Sequence, residues 1–220
     1  MRVNKFIALA TGMSRRNADA AIEQGRVKVN NREPTAGQQI SHSDEVTLDN
    51  SQLIPPKSYT TIMLNKPVGC VVSRDGQGSK TIYDLLPEHL YDLKPIGRLD
   101  KDSSGLLLLT NDGNLAHELT HPSNHKVKVY EIALDTPLQP LHQQMISDYG
   151  VQLDDGVSKF ELERLQDGND KSWRVTMYEG RNRQIRRTFS ALGYTVVNLH
   201  RTYFGNFALG ELVEKAIKTI

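Results

Sequence analysis

The sequence predicts an α+β protein in two parts: a small N-terminal α/β module and a larger domain built on a mainly antiparallel, mixed sheet. Three observations predict this fold class. Two segments with helical spacing of apolar residues precede residue 25, seven strand-like segments follow residue 59, and short helices fall irregularly between those strands. Adjacent strands with scattered helices favour α+β over a regularly alternating α/β fold.

Composition and charge bound the class of protein further. The chain has 220 residues, 38% hydrophobic and 24% charged, with a formal net charge of +1, so any surface for nucleic acid must be a local one. The single cysteine, Cys70, excludes an intramolecular disulfide, and we interpret it as a packed small hydrophobe. The apolar N-terminal stretch is too short for a membrane span, so we expect a cytoplasmic protein without membrane contact.

Residues 1–48 predict two helices followed by a small hairpin. Val3 and Ile7 have the spacing of one helix face, Gly12 ends that helix, and Ser14 can cap the next one. The segment RVKVNNREP then alternates like a strand, and its Asn-Asn pair suits a tight turn because asparagine tolerates positive φ.

The same module carries a set of basic side chains near its helix ends and strand: Arg2, Lys5, Arg15, Arg16, Arg26 and Lys28. Its order of elements and the pattern SR..A...I..G.V.VN over residues 13–30, with Asp44 near a later turn, resemble the S4 RNA-binding domain. Asn-Asn stands where that family usually has Asn-Gly, and Ser-Asp where it has Gly-Asp. The resemblance implies that the six basic residues contact RNA.

Residues 49–58 contain two prolines without periodicity and predict a linker, and residues 59–220 predict the second domain. Strand candidates are residues 60–67, 69–73, 105–110, 126–134, 159–165, 172–178 and 195–201. Helix candidates are residues 82–86, 114–120, 141–147 and 182–192.

The stretch PIGRLDKDSSGLLLLTNDG, residues 95–113, places Arg98, Asp100 and Asp102 directly before an aliphatic run. The run Leu106–Leu109 has no polar alternation, which predicts a central strand buried on both faces. A loop fixed by such a strand can present charged groups in a cleft without burying them in the core.

Three interpretations of these aspartates stay open from the residues alone. The spacing fits the start of a calcium loop, but its twelfth position is Asn111 where that loop needs a glutamate. A purely structural ion pair or turn cap is the second interpretation. The third is catalysis by one aspartate acting as nucleophile or base, because a neighbouring arginine favours the charged carboxylate.

A second charged segment, residues 178–194, predicts a helix with an apolar stripe and a set of arginines opposite it: Arg181, Arg183, Arg186 and Arg187. No acidic residue lies between Arg181 and Leu199, and arginine without a counter-charge suits phosphate. Residues 125–134 add Lys126 and Lys128 and place Tyr130 in a strand, where a tyrosine is usually core unless it meets a flipped base.

The segments GRLDKDSSGLLLLT, KVKVY, EGRNRQIRRTF and NLHR together resemble the RsuA-like family of ribosomal RNA pseudouridine synthases, whose members carry an N-terminal S4 domain. The resemblance covers nearly the whole chain in the right order. It implies that Asp100 is the catalytic aspartate, that Tyr130 packs on the target base and that Arg186 forms an ion pair with Asp100. It further implies that Arg98 helps displace or replace the flipped uridine, that Leu199 is an apolar contact beneath the base and that Asp102 supports the loop. We assign these three residues, together with Arg183 and Arg187 of the arginine set, to substrate binding.

The implied reaction is the isomerisation of uridine to pseudouridine in ribosomal RNA, on a flipped-out base and without cofactor or metal. Whether Asp100 attacks C1′ or removes a sugar proton stays open. The NRQIRR segment resembles members acting on the large subunit RNA (23S) more than those with lysine at position 186. We expect a monomer whose partner is ribosomal RNA, free or in a pre-ribosomal particle. The alternatives are a non-catalytic RNA-binding protein, an RNA N-glycosidase, and a related enzyme acting on transfer RNA or on both RNAs.

Overall fold

The computed structural model describes residues 1–41, 43–56 and 58–220. Residue 42 of the predicted module and residue 57 of the predicted linker therefore lie outside the described residues. The N-terminal elements are α1 (Val3–Thr11), α2 (Arg15–Glu23), β1 (Val27–Val29), β2 (Val46–Leu48) and β3 (Ser51–Gln52).

The N-terminal module has its own apolar core, to which both helices and the three-stranded sheet β1-β2-β3 contribute. Gly12 ends α1 with φ +76°, and the Ser14 side chain caps α2 by accepting a hydrogen bond from the Asn17 amide at 3.1 Å. Asn30 and Asn31 both have positive φ, as the turn after β1 requires. These local predictions are confirmed.

The pairing of the first strand differs from the local hairpin that the sequence suggested. Strand β1 pairs along its length with the distant strand β2, whereas Arg32, just after the turn, makes only a single bridge to Val29. Strand β3 pairs with β2 and lies inside the predicted linker, so that segment begins as part of the module's sheet.

The second region contains three α-helices, a π-helical turn and short 3-10 turns around a large sheet. Its strands are β4 (Thr61–Lys66), β5 (Lys94–Pro95), β6 (Ser104–Thr110), β7 (Lys128–Leu134), β8 (Val151–Leu153), β9 (Gly156–Ser158), β10 (Glu161–Arg164), β11 (Ser172–Met177), β12 (Val196–Phe204), β13 (Phe207–Ala208) and β14 (Ile217–Thr219). Its helices are α3 (Gly113–Thr120), α4 (Pro140–Gln144) and α5 (Gln184–Ala191), with a π-turn at Met145–Tyr149 and 3-10 turns at Ile82–Leu85, Glu88–Leu90 and Pro122–Asn124.

The large sheet runs in the order β10-β11-β7-β12-β6-β4-β14, with β5 added to β6 and β13 added to β12. Among the described strands of this sheet the β6–β12 pair is parallel and the other pairs are antiparallel. Strand β6 is central and buried at every residue, because Leu107 and Leu109 enter one core cluster while Leu106 and Leu108 enter another. The predicted fold class and the central strand are confirmed.

One strand prediction is wrong. Residues 69–73 form no strand, because Gly69 turns the chain with φ +90° and Val71 makes only one bridge, to Thr81. The short strands β5, β8, β9, β13 and β14 carry too few residues for a period-2 pattern, and the sequence did not predict them.

Candidate active site

A cavity of about 430 Å³ opens where the loop before β6 meets β7, β12 and the segment leading into α5. Its described lining includes seven basic residues but only two carboxylates, Asp100 and Glu179. The Glu179 carboxylate accepts a hydrogen bond from Gln184 and lies 3.4 Å from Arg181 Nη2, so it is held by the cavity wall. Asp100 is therefore the carboxylate that the cavity offers to a ligand.

The loop that carries Asp100 is held in place by the buried side chain of Lys66, the last residue of β4. This lysine is fully buried, and its Nζ donates to the carbonyl oxygens of Pro67 at 2.9 Å, Asp100 at 3.1 Å and Ser103 at 2.7 Å. Burial lowers the pKa of Lys66, and the nearby acidic groups oppose that shift. The sequence analysis missed this residue, although a lysine closing an otherwise apolar strand was a visible signal.

The Asp100 carboxylate lines the cavity with its side chain 34% exposed, and its Oδ2 lies 3.4 Å from Arg183 Nη1. Arg98, two residues earlier, is exposed and also lines the cavity. The backbone of Asp100 is held at its carbonyl by the Ser103 amide at 3.1 Å in addition to Lys66. A partly exposed carboxylate on a doubly fixed backbone can be aimed at one ligand atom.

The predicted ion pair between Arg186 and Asp100 is wrong. The Arg186 Nε lies 3.3 Å from the Asp102 carboxylate, and its Nη2 donates to the Asp102 carbonyl oxygen at 2.8 Å. Arg186 is further tied by Nη1 to the Val196 carbonyl, which draws its side chain toward the backbone. Arg183, whose left-handed backbone places it before the first turn of α5, contacts Asp100 in its place.

Asp102 lies outside the described lining of the cavity and joins its loop to the α5 segment. Arg183 holds both of its carboxylate oxygens, with two hydrogen bonds of 3.0 Å. These hydrogen bonds, together with the charges of Arg186 and Arg183, lower the pKa of Asp102. Its position agrees with the loop support that the resemblance implied, and not with a direct substrate contact, for which Asp102 was grouped with the binding residues.

The arginines of the α5 segment do have counter-charges, contrary to the expectation from the local sequence. The carboxylate of Asp155, in the turn between β8 and β9, forms ion pairs with Arg181 Nη1 at 2.9 Å and with Arg187 Nη2 at 2.6 Å. Arg187 lies outside the described cavity lining, although the sequence placed it among the substrate contacts. A search for acidic neighbours along the chain could not find a partner brought in by the fold.

The apolar part of the cavity comes from the sheet and α5. Tyr130 on β7 and Leu199 on β12 are buried, with 8% and 6% exposure, and both line the cavity beside Met177 and Ile185. Tyr130 lies directly opposite Arg201 in the register of the two strands. An aromatic ring and an aliphatic side chain near one carboxylate provide a surface on which a flat base can pack.

The six predicted RNA contacts of the N-terminal module differ in availability. Arg2, Arg16 and Lys28 are exposed, and the structure gives them no ion pair among its described residues. Arg26 forms an exposed ion pair with Asp49. Two side chains are engaged elsewhere: Lys5 donates to Asn114 of α3 at 2.6 Å, and Arg15 donates to Asn4 at 3.3 Å.

Within residues 1–41, 43–56 and 58–220, no group of three histidine, cysteine, aspartate or glutamate side chains is arranged to hold a metal ion. The helices of this described part include none with the length and apolarity needed to cross a membrane.

Comparison with known proteins agrees with this fold and site. A model of the RNA pseudouridylate synthase family matches residues 60–191, and a model of the S4 domain matches residues 1–46. A crystal structure of a pseudouridylate synthase superposes with a TM-score of 0.72 at 35% identity, covering 100% of this chain and 96% of that one.

Curated relatives extend the similarity over almost the full length. Ribosomal small subunit pseudouridine synthase A of Haemophilus influenzae is 37% identical over 98% of this chain and 93% of its own. Ribosomal large subunit pseudouridine synthase B of Bacillus subtilis is 37% identical over 91% of this chain and 84% of its own. The chain is therefore an isomerase of the pseudouridine synthase class. It belongs to the RNA pseudouridylate synthase family, in the RsuA-like group that carries an N-terminal S4 domain.

Proposed function

We propose that this chain isomerises specific uridines of ribosomal RNA to pseudouridine, with Asp100 acting at the sugar of a flipped-out nucleotide. In this reaction the C1′–N1 bond breaks, the base turns and C1′ joins C5; the C5 proton then leaves and N1 takes up a proton, so the product is an isomer of uridine. One observation carries the assignment: the Asp100 carboxylate shares the cavity with Tyr130 and Leu199 and, unlike that of Glu179, accepts no hydrogen bond from the described residues, its charged neighbour being Arg183 Nη1 at 3.4 Å. The cavity volume falls within the roughly 300–1,000 Å³ of small-molecule sites.

The remaining side chains divide into two groups around that carboxylate. Arg183 places a positive charge 3.4 Å from the Asp100 carboxylate, and Arg98 is placed to contact the RNA from the same loop. Arg186 acts through Asp102 and the loop backbone, so we assign it to positioning. Proton removal from C5 falls to Tyr130 in this proposal, because its ring lies at the base surface.

Either ribosomal subunit can supply the substrate, since relatives of equal identity are named for the small and the large subunit. The arginine at position 186 favours the large subunit RNA in our proposal. The exposed Arg2, Arg16 and Lys28 then contact RNA from the N-terminal module. We further propose that the chain acts in the cytoplasm as a monomer, on free RNA or a pre-ribosomal particle.

The test is tritium release from ribosomal RNA labelled with 5-³H-uridine and unmodified at family sites. The 16S and 23S RNAs are assayed separately, each with wild type, Asp100→Asn and a matched Asp148→Asn control. Asp148 is exposed and outside the described cavity lining. We expect release by wild type and Asp148→Asn, a loss of at least 1,000-fold in Asp100→Asn, and no free uracil.

Other outcomes identify the alternatives. Free uracil with an abasic product would establish an N-glycosidase. Release that survives Asp100→Asn would remove Asp100 from the chemistry. RNA binding without release on either RNA or on pre-ribosomal particles would favour the non-catalytic protein, and release from transfer RNA alone would assign the other RNA class.

A further inference from the structure

Arg201, on β12, is a buried cation without a carboxylate partner. It is 2% exposed, its Nε donates to the Leu106 carbonyl oxygen at 2.8 Å, and its guanidinium carbon lies 4.8 Å from the centre of the Phe204 ring. Its Nη2 is buried and has no hydrogen-bond partner among the described residues. Arg201 also lines the cavity that contains Asp100. An unsatisfied guanidinium edge at a ligand cavity costs free energy until an acceptor arrives.

A second cation shares the same aromatic ring. The Lys128 Nζ lies 5.5 Å from the centre of the Phe204 ring, and strand pairing sets Lys128 directly opposite Phe204. Its hydrogen bonds are long ones, to the carbonyl oxygens of Lys126 at 3.3 Å and Glu179 at 3.4 Å. Burial lowers the pKa of Lys128, and the charge of Arg201 lowers it further. The fold therefore holds two like charges together in a poorly solvated place.

Neither cation forms an ion pair with a described carboxylate, although the charge of Glu179 acts on the pKa of Lys128 in the opposite direction to burial and Arg201. Within the described chain neither cation has an acidic side chain within 4 Å, and the two carboxylates of the cavity lie against Arg183 and Arg181. Lys126, which also lines the cavity, is paired with Glu118 at 2.8 Å. Two fixed cations with free donors are complementary to an anion with several acceptor oxygens.

We propose that Arg201 and Lys128 form a phosphate subsite, which binds a backbone phosphodiester of the RNA strand beside the target uridine. This inference rests on the proposed function, because it takes RNA as the ligand of the cavity. A uracil carbonyl would satisfy one donor but would not offset two positive charges, whereas a phosphodiester does both. Since Arg201 faces Tyr130 across β7 and β12, the phosphate would adjoin the surface assigned to the base.

The test measures how binding of a single-stranded uridine dodecamer depends on salt, by fluorescence anisotropy between 50 and 200 mM potassium chloride. The variants are Arg201→Met, Lys128→Met and the control Arg164→Met. Arg164 is also stacked on an aromatic ring, 5.5 Å from the centre of Trp173, but it is paired with Asp170 and lies outside the described cavity lining.

We expect the slope of log K against log salt to become shallower by about 0.7 in Arg201→Met and in Lys128→Met, as for loss of one phosphate contact on a single strand. The control slope stays at the wild-type value. Arg201→Lys keeps a charge and should retain the wild-type slope with weaker binding.

Weaker binding with an unchanged slope in Arg201→Met and Lys128→Met would mean contact with the base or sugar and would overturn the phosphate assignment. An equal change in Arg164→Met would overturn it as well. If thermal melting shows that Arg201→Met does not fold, the salt dependence of the Lys128→Met variant alone tests the proposal, since Lys128 is only half-buried. Tritium release by wild type reports the proposed function separately, so a failed isomerase assay with a shifted slope leaves the phosphate subsite standing.

Discussion

Replacing Lys66 by methionine tests whether the catalytic loop depends on one buried cation. The change keeps the length of the side chain but removes an ammonium group that donates to three carbonyl oxygens, at 2.7 to 3.1 Å. The Asp100 carbonyl keeps a second donor, the Ser103 amide, and the Pro67 carbonyl keeps only the weak thiol donor of Cys70 at 3.6 Å, so chiefly the Pro67 and Ser103 carbonyls lose hydrogen bonding. The loop would then be held by the contacts of Asp102 with Arg183 and Arg186 and by its packing.

The magnitude follows from two opposing effects. Each buried acceptor left without a donor costs about 1–3 kcal/mol, which gives about 2–6 kcal/mol for two carbonyls. Removing a buried ammonium recovers part of this, because the charge was costly to desolvate and burial already lowers the pKa of Lys66. We expect a net loss of about 2–4 kcal/mol in the free energy of unfolding.

Urea denaturation followed by circular dichroism measures this loss. Tritium release by the folded fraction measures how far activity depends on the position of the Asp100 loop. We expect isomerisation to fall about 100-fold, since a misplacement near 1 Å costs about that much. The control is Lys101→Met, an exposed lysine of the same loop whose Nζ donates to Ser79 Oγ at 3.1 Å, with an expected change below about 0.5 kcal/mol. A Lys66 variant within 1 kcal/mol of wild type, with full activity, would refute the reasoning.

Three further changes test the loop and the α5 segment. Gly105→Ala should cost at least about 3 kcal/mol in a melting experiment, because a Cβ there, at φ +101°, would meet the backbone of Arg201. Asp102→Asn should cost up to about 1 kcal/mol near pH 7. Because Arg183 lowers the folded-state pKa of Asp102, this difference should be full above the unfolded value of about 3.9 and shrink as pH falls through the folded value, as measured by urea melts from pH 2 to 7. Arg187→Met should keep tritium release within about threefold of wild type, since Arg187 lies outside the described cavity lining.

Features that depend on a few neighbouring residues could be predicted from the sequence. The cap at Ser14 and the turn at Asn30 and Asn31 follow from local backbone chemistry, and the structure contains both. The central position of β6 follows from four consecutive leucines, since only a strand covered on both faces buries them all. These predictions needed no knowledge of which distant segments meet.

The errors arise where the answer depends on long-range packing. Asp155 lies 26 residues before Arg181, so the sequence next to the arginines gave no sign of their acidic partner. Arg183, and not Arg186, contacts Asp100 because Arg183 itself has a left-handed backbone before α5, and the helical pattern of the segment did not reveal that conformation. Lys66 was missed because lysine is normally exposed, and its burial becomes favourable only when three carbonyl oxygens converge on it.

The near-neutral net charge and the basic cavity are consistent with one another once the partners of the cations are considered. Arg183 and Arg186 form ion pairs with Asp102, and Lys66 donates its hydrogen bonds to the loop backbone. Among the described residues, three of the seven basic side chains that line the cavity form no ion pair: Arg98, Lys128 and Arg201. A cavity with so few unpaired cations contributes little non-specific affinity for RNA, because that affinity rises with the number of phosphates contacted. Discrimination between uridines must then come from the energy of flipping and packing one base, with the exposed basic residues of the N-terminal module adding affinity.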